Sequence, residues 1–438
     1  MTKNIFVLGL DDFNLAEMRA LPAAADYRFH SLFGHHEVKA RPEFPVRRLY
    51  EESIERLEHF PGPIDAIVGY WDFPVSTLLP LLCRHFDLPT PSFEAVLKCE
   101  HKYWSRLVQQ RVVADCIPPF CVVNPFSDRY RDQIDLDYPF WIKPVRAASS
   151  ILGFMVRNDR ELEGAIEAIR AKVFRFSRPF DYLLEFADLP PEIAAIDGAH
   201  CIAEGIISRG RQCTLEGYAY RGEVQVYGAV DSIREGQHRS CFSRYQYPSS
   251  IPARVQQRMC DVTGRFLREI GFDHGPFNIE FYWDRHQDRI QLLEINNRIS
   301  KSHCPLFRHV DGLSHHQVML DLGLGRHPDF PHRQGPWRLA AKFMWRRYGN
   351  ARVTRVPDHA EWRRLQEHFP SAQLQLHVQE GMRLSELKDQ DSYSYEIAVI
   401  FLGADSQKAL LQKYARLLQL MPLEMVPLEC STTGPALA

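Results

Sequence analysis

Apolar residues arrive along this chain in short, nearly unbroken runs, separated by stretches with a helical period. Asn4-Ile-Phe-Val-Leu-Gly-Leu10 and Ile64-Asp-Ala-Ile-Val-Gly-Tyr70 read as buried strands, with a helix over 51–60 between them. Strands alternating with helices predict a parallel sheet covered on both faces. Residues 1–96 are therefore expected to form a small α/β domain, closed by the turn Leu88-Pro-Thr-Pro-Ser92. Residues 97–330 mix helices with antiparallel strand pairs, an α+β pattern, and the Gly- and Pro-punctuated stretch 323–336 marks the next boundary. Residues 337–438 predict a small α+β domain, with strands over 337–347 and 395–403. Its helix, over 406–420, has apolar residues at 410, 411, 414, 417 and 418. Arg346-Arg347 and Arg363-Arg364 read as a solvated face.

The most informative polar positions interrupt two apolar strands in the middle region. Gly275-Pro-Phe-Asn-Ile-Glu280-Phe-Tyr-Trp-Asp284 and Arg289-Ile-Gln-Leu-Leu-Glu294-Ile-Asn296 each carry a carboxylate and are joined by a polar turn. Glu280 and Glu294 are expected on neighbouring strands, pointing the same way. Asn296 and Arg298 continue that face, because strand side chains repeat every two residues. Glu, Glu and Asn offer hard oxygen ligands of the kind magnesium takes while it holds phosphates. Arg298 adds a rigid positive fork for a phosphate or a developing oxyanion. Spacing alone also fits a hairpin with solvent-facing charges.

Upstream features sharpen the choice. Only eleven of the 53 basic side chains are lysines, so their positions are informative. Lys143 ends the apolar run Tyr138-Pro-Phe-Trp-Ile-Lys143-Pro, where a charge is costly unless it faces an anion. The following loop, Arg146-Ala-Ala-Ser149-Ser150-Ile-Leu-Gly153, has small residues whose backbone N–H groups can cradle phosphate. Cys201-Ile-Ala-Glu204-Gly-Ile206-Ile207 and the run from Gln212 to Gly217 read as strand, turn and strand. Taken singly, the loop is an ordinary turn and the strand pair an ordinary hairpin.

Taken together and in this order, the motifs resemble the ATP-grasp superfamily, whose metal-binding end is a Glu followed one hairpin later by Glu-x-Asn-x-Arg. The resemblance implies an ATP-grasp fold over 97–330, preceded by a pre-ATP-grasp α/β domain and followed by a small C-terminal domain like that of biotin carboxylase. It assigns Glu280, Glu294 and Asn296 to Mg²⁺, with Mn²⁺ as a substitute. ATP falls to Lys102, Lys143, the flap residues Ser149, Ser150 and Gly153, and the adenine hinge of Glu204, Ile206 and Ile207. Gln212 stands where many relatives have a ribose-side Glu. Arg298 and Lys143 are the implied catalytic residues. Departures are visible: His101 precedes Lys102 where the family has Asp, and Ala147 and Ala148 replace flap glycines. Lys98 competes with Lys102, which is preferred because Arg106-Leu107 follows it at the familiar helical spacing.

Within the biotin-carboxylase-like branch, Glu204 through Gly217, Gly222, Asp231-Ser and Tyr247-Pro-Ser look most like the amino-acid ligases. The implied reaction activates a carboxylate as an acyl phosphate, which an amine then displaces, giving ADP and phosphate. The implied partners are therefore a small carboxylate and an amine, with a homodimer suggested by resemblance alone. After Arg298 the chain has Ile299-Ser-Lys-Ser-His-Cys304 in place of a Gly-rich loop, which offers Lys301 and His303 to a carboxylate or an amine. Two rivals carry less: a silent nucleotide-binding protein, and a carboxylating enzyme of the biotin-carboxylase kind, for which no biotinyl-carrier signature or bicarbonate loop is evident.

Bulk properties narrow the class without changing this reading. A chain of 438 residues with 45% hydrophobic and 25% charged residues has the composition of a soluble globular protein of two or three domains. A net charge of −2 gives no electrostatic reason to expect nucleic acid or an anionic membrane. No apolar run approaches the roughly 20 residues that span a bilayer. Ten cysteines without a Cys-x-x-Cys pair argue for reduced thiols in a cytoplasm. His303, Cys304, His309, His315 and His316 match no standard zinc spacing.

Overall fold

The structure, a computed structural model, describes residues 2–39, 43–147, 151–235, 241–388, 390 and 394–428. It divides into two compact units. Met1–Ala229, Ile251–Lys301 and His315–Phe330 form the first; Val230–Ser250, Ser302–Ser314 and Pro331–Ala438 form the second. The first unit thus takes the expected 1–96 segment with most of 97–330.

The first unit opens with three parallel strands, β1 (Lys3–Leu10), β2 (Tyr27–Gly34) and β3 (Ala66–Val68), in the order β2-β1-β3. Ile5, Phe6, Val7 and Leu8 are all buried, as a central strand covered on both faces requires. The following helix, Val46–Glu58, starts before the expected position 51 and buries Val46, Leu49, Ser53 and Leu57. That spacing of three and four places Val46, Leu49 and Leu57 in one core with Phe6 and Leu8. β3 is shorter than the sequence run. Asp65 leaves the ladder and uses its carboxylate to bind Lys3 Nζ (2.6 Å) and Asn4 N–H (2.9 Å).

Four antiparallel strands come next: β4 (Phe120–Val123), β5 (Phe140–Pro144), β6 (Phe154–Val156) and β7 (Cys201–Gly205), ordered β4-β7-β5-β6. Phe140, Ile142 and Val156 pack with Leu162, Ile166 and Ile169 of the Asp159–Lys172 helix. Alternation along β5 then puts Trp141 and Lys143 on the other face. β8 (Arg211–Tyr220) pairs antiparallel with the strand Gly275–Asp284, which pairs in turn with Arg289–Asn296. Cys213, Leu215, Phe277, Ile279 and Ile295 share a core with the helices Ala253–Glu269 and Lys102–Val113.

The second unit is built on antiparallel strands Arg244–Tyr247, Leu339–Arg347, Tyr395–Ala404 and Gln373–Leu376, paired in that order. Its Gln407–Leu420 helix starts at Ser406, whose side chain accepts from Ala409 N–H. Leu410 and Leu417 are fully buried and Tyr414 stacks on Phe343, but Leu411 is 37% exposed. The apolar stripe is narrower than the spacing predicts. Arg363 and Arg364 are exposed as expected, whereas Arg346 is not a solvated charge. It donates to the Phe242 carbonyl (2.9 Å) and pairs with Glu396 (3.0 Å). Among the described residues no helix is long and apolar enough to cross a membrane. The described cysteines are all free thiols.

Candidate active site

The hairpin places its two carboxylates face to face. Glu280 is the cross-strand partner of Glu294 and Asn278 that of Asn296, with a register irregularity between Glu280 and Phe281. On β8, Thr214 lies opposite Glu280 and Glu216 opposite Asn278. Two polar rows therefore cross three strands: Thr214, Glu280, Glu294 and Glu216, Asn278, Asn296. The helix Lys102–Val113 pins the irregular turn of backbone, because Arg106 donates to the carbonyls of Leu292 (3.1 Å) and Leu293 (3.0 Å).

Like charges directly opposite on a sheet are destabilising, so the pair calls for compensation. Gln212 Nε2 donates to Glu280 Oε2 (2.7 Å), and Lys102 Nζ lies 3.3 Å from Glu294 Oε1. Gln212, expected near a ribose, is thus seated on the carboxylate row. Asn296 Nδ2 donates to Asn278 Oδ1 (3.0 Å), and Asn278 Nδ2 to the Arg298 carbonyl (2.9 Å). Two carboxylates and an amide on neighbouring strands, with one ammonium beside them, are a hard-oxygen donor set that fits a divalent cation. Among the described residues no group of three or more His, Cys, Asp or Glu side chains gathers as a metal site.

Lys102 is the first residue of its helix, and the His101 ring caps it by accepting from Trp104 N–H at Nδ1 (3.2 Å). His101 Nε2 meets the Ile196 carbonyl (3.1 Å), and burial pushes its pKa down to about 4. A neutral imidazole does the capping expected of Asp. Lys102 Nζ also donates to the Ala147 carbonyl (3.0 Å), linking Glu294 to the base of the flap loop. Burial lowers its pKa, with Glu294 opposing. Lys98 instead faces the Trp104 ring at 5.6 Å.

Lys143 Nζ lies 2.5 Å from Glu204 Oε2, while Arg106 Nε holds Oε1 at 2.6 Å. Burial alone would raise the Glu204 carboxyl, but Arg106 and Lys143 outweigh it and hold it at about 2. Ile206 and Ile207, half-buried, follow directly on β7, and the Ile207 carbonyl accepts from Arg209 N–H (2.7 Å). Gly153 immediately precedes β6. Ser149 and Ser150 lie outside the described residues.

Arg298 lies beyond the hairpin strand. Its Nη2 stands 4.0 Å from Asp72 Oδ2, and its buried Nε finds no acceptor among the described residues. Arg146 Nη2 binds both Asp72 and Glu100 at 3.1 Å. Burial would raise the Asp72 carboxyl, yet Arg146, Arg298 and Lys39 keep it well below the usual range. Glu216 is fully buried, and burial drives its pKa up. It accepts from Ser300 N–H (3.4 Å), while His315 Nε2 meets the Ser300 carbonyl (3.0 Å), so the start of the loop after Arg298 is held on both sides. Of these additional residues, Asn278 had a legible signal, two positions before Glu280, and Arg106 had one only in its spacing after Lys102. Asp72, Arg106, Arg146 and Glu216 reach the site through the fold.

Residues 136–304 match the family description of the ATP-grasp domain. The chain is 25% identical over 228 residues to protein y4rH of Sinorhizobium fredii (strain NBRC 101917 / NGR234), covering 51% of this chain. It is 23% identical over 171 residues to a D-alanine–D-alanine ligase of Synechococcus sp. (strain CC9605), covering 38%. Each match spans 41% of the relative's own length. Among solved structures, an L-amino acid ligase from Bacillus licheniformis superposes with a TM-score of 0.69 at 15% identity, covering 98% of this chain and 99% of that one. Residues 136–304 thus carry an ATP-grasp domain, and the chain has the ATP-grasp fold.

Proposed function

We propose that this protein is an ATP-dependent ligase that activates a small carboxylate, an amino acid or similar acid, as an acyl phosphate and joins it to an amine, releasing ADP and phosphate. The observation that carries the reading is the cross-strand pairing of Glu280 with Glu294, with Asn296 one alternation along and Lys102 against Glu294. Glu280, Glu294 and Asn296 would hold magnesium, which when bound offsets phosphate charge. Segments 1–96, 97–330 and 337–438 would then be the pre-ATP-grasp, ATP-grasp and C-terminal domains.

The chain's own residues supply the rest. Lys102 and Lys143 carry the positive charge that a carboxylate needs as it approaches a polyphosphate. Arg106 keeps Glu204 paired when Lys143 turns to a phosphate, so that move strands no buried carboxylate. Ile206, Ile207 and the backbone after Glu204 offer an apolar and hydrogen-bonding seat for an adenine ring. Arg298, whose buried Nε–H finds no acceptor among the described residues, stabilises the acyl phosphate and the oxyanion formed when the amine attacks. The amine nitrogen forms the new bond to the acyl carbon and gives up a proton to the departing phosphate, which leaves with the electrons of the broken C–O bond.

The test is ADP and phosphate release with Mg²⁺ and ATP across amino acids and small acids, singly and with amine partners. Glu294→Ala serves as the blank and is expected to lose at least about a hundredfold in rate with an unchanged circular dichroism spectrum. Retained turnover in that variant would sink the metal assignment. Nucleotide binding without ADP release from any pairing would overturn the ligase reading.

A further inference from the structure

The strand Arg289–Asn296 ends two residues short of Arg298, and residues 297–300 belong to no strand or helix. Outside a ladder, the polar groups of such a segment need other partners. Side chains of neighbouring elements supply them almost residue by residue. Asn296 Nδ2 donates to Asn278 Oδ1, and Asn278 Nδ2 donates to the Arg298 carbonyl. Asn297 Nδ2 donates to the Ser76 carbonyl (3.0 Å), and the Ile299 side chain is fully buried. Ser300 is gripped from two sides. Glu216 accepts from its N–H (3.4 Å), and His315 Nε2 lies 3.0 Å from its carbonyl.

The guanidinium of Arg298 is held more loosely than its backbone. Nη1 donates to the carbonyl of the next residue, Ile299, at 3.3 Å, and Nη2 stands 4.0 Å from Asp72. The direction of the fork is therefore set by where the backbone is pinned. His315 is fully buried, and a carbonyl only accepts, so its Nε2 carries the hydrogen. Its Nδ1 meets the Tyr227 hydroxyl at 3.0 Å and lies 3.7 Å from Glu216 Oε2. The ring stands on a firm base: it immediately precedes the helix His316–Gly323, whose Val318 and Leu322 pack with Tyr218 of β8. Glu216 is fixed by its own place on β8, opposite Asn278. Burying a histidine and a glutamate together carries a desolvation cost that ordinary loop packing does not require.

We propose that Glu216 and His315 are positioning residues for Arg298: by holding the Ser300 peptide from both sides they stand in for a strand ladder and aim the guanidinium at the transferred phosphoryl group. The inference rests on the ligase reading and adds to it the device that keeps its charge-stabilising residue in place. A donor contributes most when it needs no rearrangement as charge develops, so a pinned backbone serves the reaction directly. The contacts also define which replacements suffice. Ser300 needs an N–H where His315 Nε2 stands; a glutamine reaches that position, whereas an asparagine reaches only that of Nδ1. From position 216 it needs an acceptor oxygen, which glutamine keeps and leucine lacks. Burial already pushes the Glu216 pKa up, so a neutral side chain of the same shape suits the place.

The test uses the full chain saturated with Mg²⁺ and ADP, into which inorganic phosphate is titrated by calorimetry as a stand-in for the transferred group. Wild type should bind phosphate, and Arg298→Ala should weaken that binding about tenfold or more. His315→Asn and Glu216→Leu should lose as much, while His315→Gln and Glu216→Gln keep it, with ADP affinity the same in all. A merely structural role would not separate asparagine from glutamine at position 315. In wild type the Ser300 amide should also exchange slowly with deuterium, although it lies outside any strand or helix. Fast exchange there, no phosphate binding, binding indifferent to Arg298→Ala, or equal losses in His315→Asn and His315→Gln overturns the proposal. Should a variant at position 315 fail to fold, the Glu216 pair and the exchange rate decide alone. With an acid and amine that the chain turns over, the losses should fall in kcat and leave KM for ATP unchanged. Turnover with one kcat across wild type, His315→Asn and His315→Gln would sink this inference and leave the ligase standing. The expected phosphate pattern, with no ADP release from any pairing, would do the reverse.

Discussion

Glu204 takes Arg106 on one oxygen and Lys143 on the other, and the burial of Glu204 and Arg106 sets the cost of breaking the group. Removing one partner of a buried ion pair typically costs about 3 kcal/mol, because the remaining charge stays desolvated. Glu204→Gln should therefore lower stability by about that amount, read as a fall in the urea midpoint at pH 7. The pH dependence has a definite sign. The folded pKa of about 2 lies below the usual value of 4.5, so the carboxylate's contribution is complete above the unfolded pKa. It is lost as pH falls from there toward the folded value. Wild type and Glu204→Gln should converge in stability through that acid window; a constant gap would show that the pair is not what the substitution removes. Glu204 itself was legible in the sequence, but only as a strand-end carboxylate. The pairing was not, since Arg106 is one of many arginines on an ordinary helical face and nothing local ties it or Lys143 to residue 204. Asp72 is harder still, because its partners Arg146 and Arg298 are distant in the chain and meet it only once β3 is placed.

At the scale of elements, the hairpin was readable because its chemistry and its packing share one period of two. The apolar alternate positions Phe277, Ile279 and Ile295 fix which face meets the core, so the carboxylates must share the other. The register irregularity beside Glu280 was not readable, since it depends on Arg106 reaching the Leu292 and Leu293 carbonyls. β8 holds its place by a different device. A Cβ on Gly217 would lie 2.3 Å from Phe277 Cζ and 2.5 Å from the Gln225 carbonyl, so the strands meet too closely there for any side chain. Gly217→Ala should destabilise by about 1–3 kcal/mol through overpacking. Because Glu216 and Thr214 stand on the same strand, ADP release should fall with it. An unchanged denaturation midpoint would mean the sheet yields more easily than this packing allows. The helix Gln407–Leu420 shows the opposite limit: its period was right, yet Leu411 ended exposed because the core beneath the helix takes Ala409, Leu410, Tyr414, Leu417 and Leu418.

For the whole molecule, the opposed carboxylates imply that stability and activity pull apart. Glu280 and Glu294 face each other across one ladder, with Gln212 and Lys102 as partial compensation. Removing one of two like charges in such a pair relieves repulsion worth about 0.2–1 kcal/mol. Glu280→Gln keeps the shape of the side chain and an oxygen that can accept from Gln212. Without ligands, this variant should match or slightly exceed the wild type in thermal stability. With Mg²⁺ and a non-hydrolysable ATP analogue the order should invert. A ligand at 100 times its Kd stabilises the folded state by about 2.7 kcal/mol, a gain the wild type should show and Glu280→Gln should largely forfeit. Thermal melts of both proteins, with and without Mg²⁺ and with the analogue at fixed concentration, separate the two effects. If Glu280→Gln melts lower without ligand, Glu280 is serving the sheet rather than a cation. If it melts equally and still responds fully to Mg²⁺ and nucleotide, the cation lies elsewhere. The inverted order is the outcome that ties this carboxylate pair to a ligand, because packing alone gives no reason for a sheet to set two glutamates side by side.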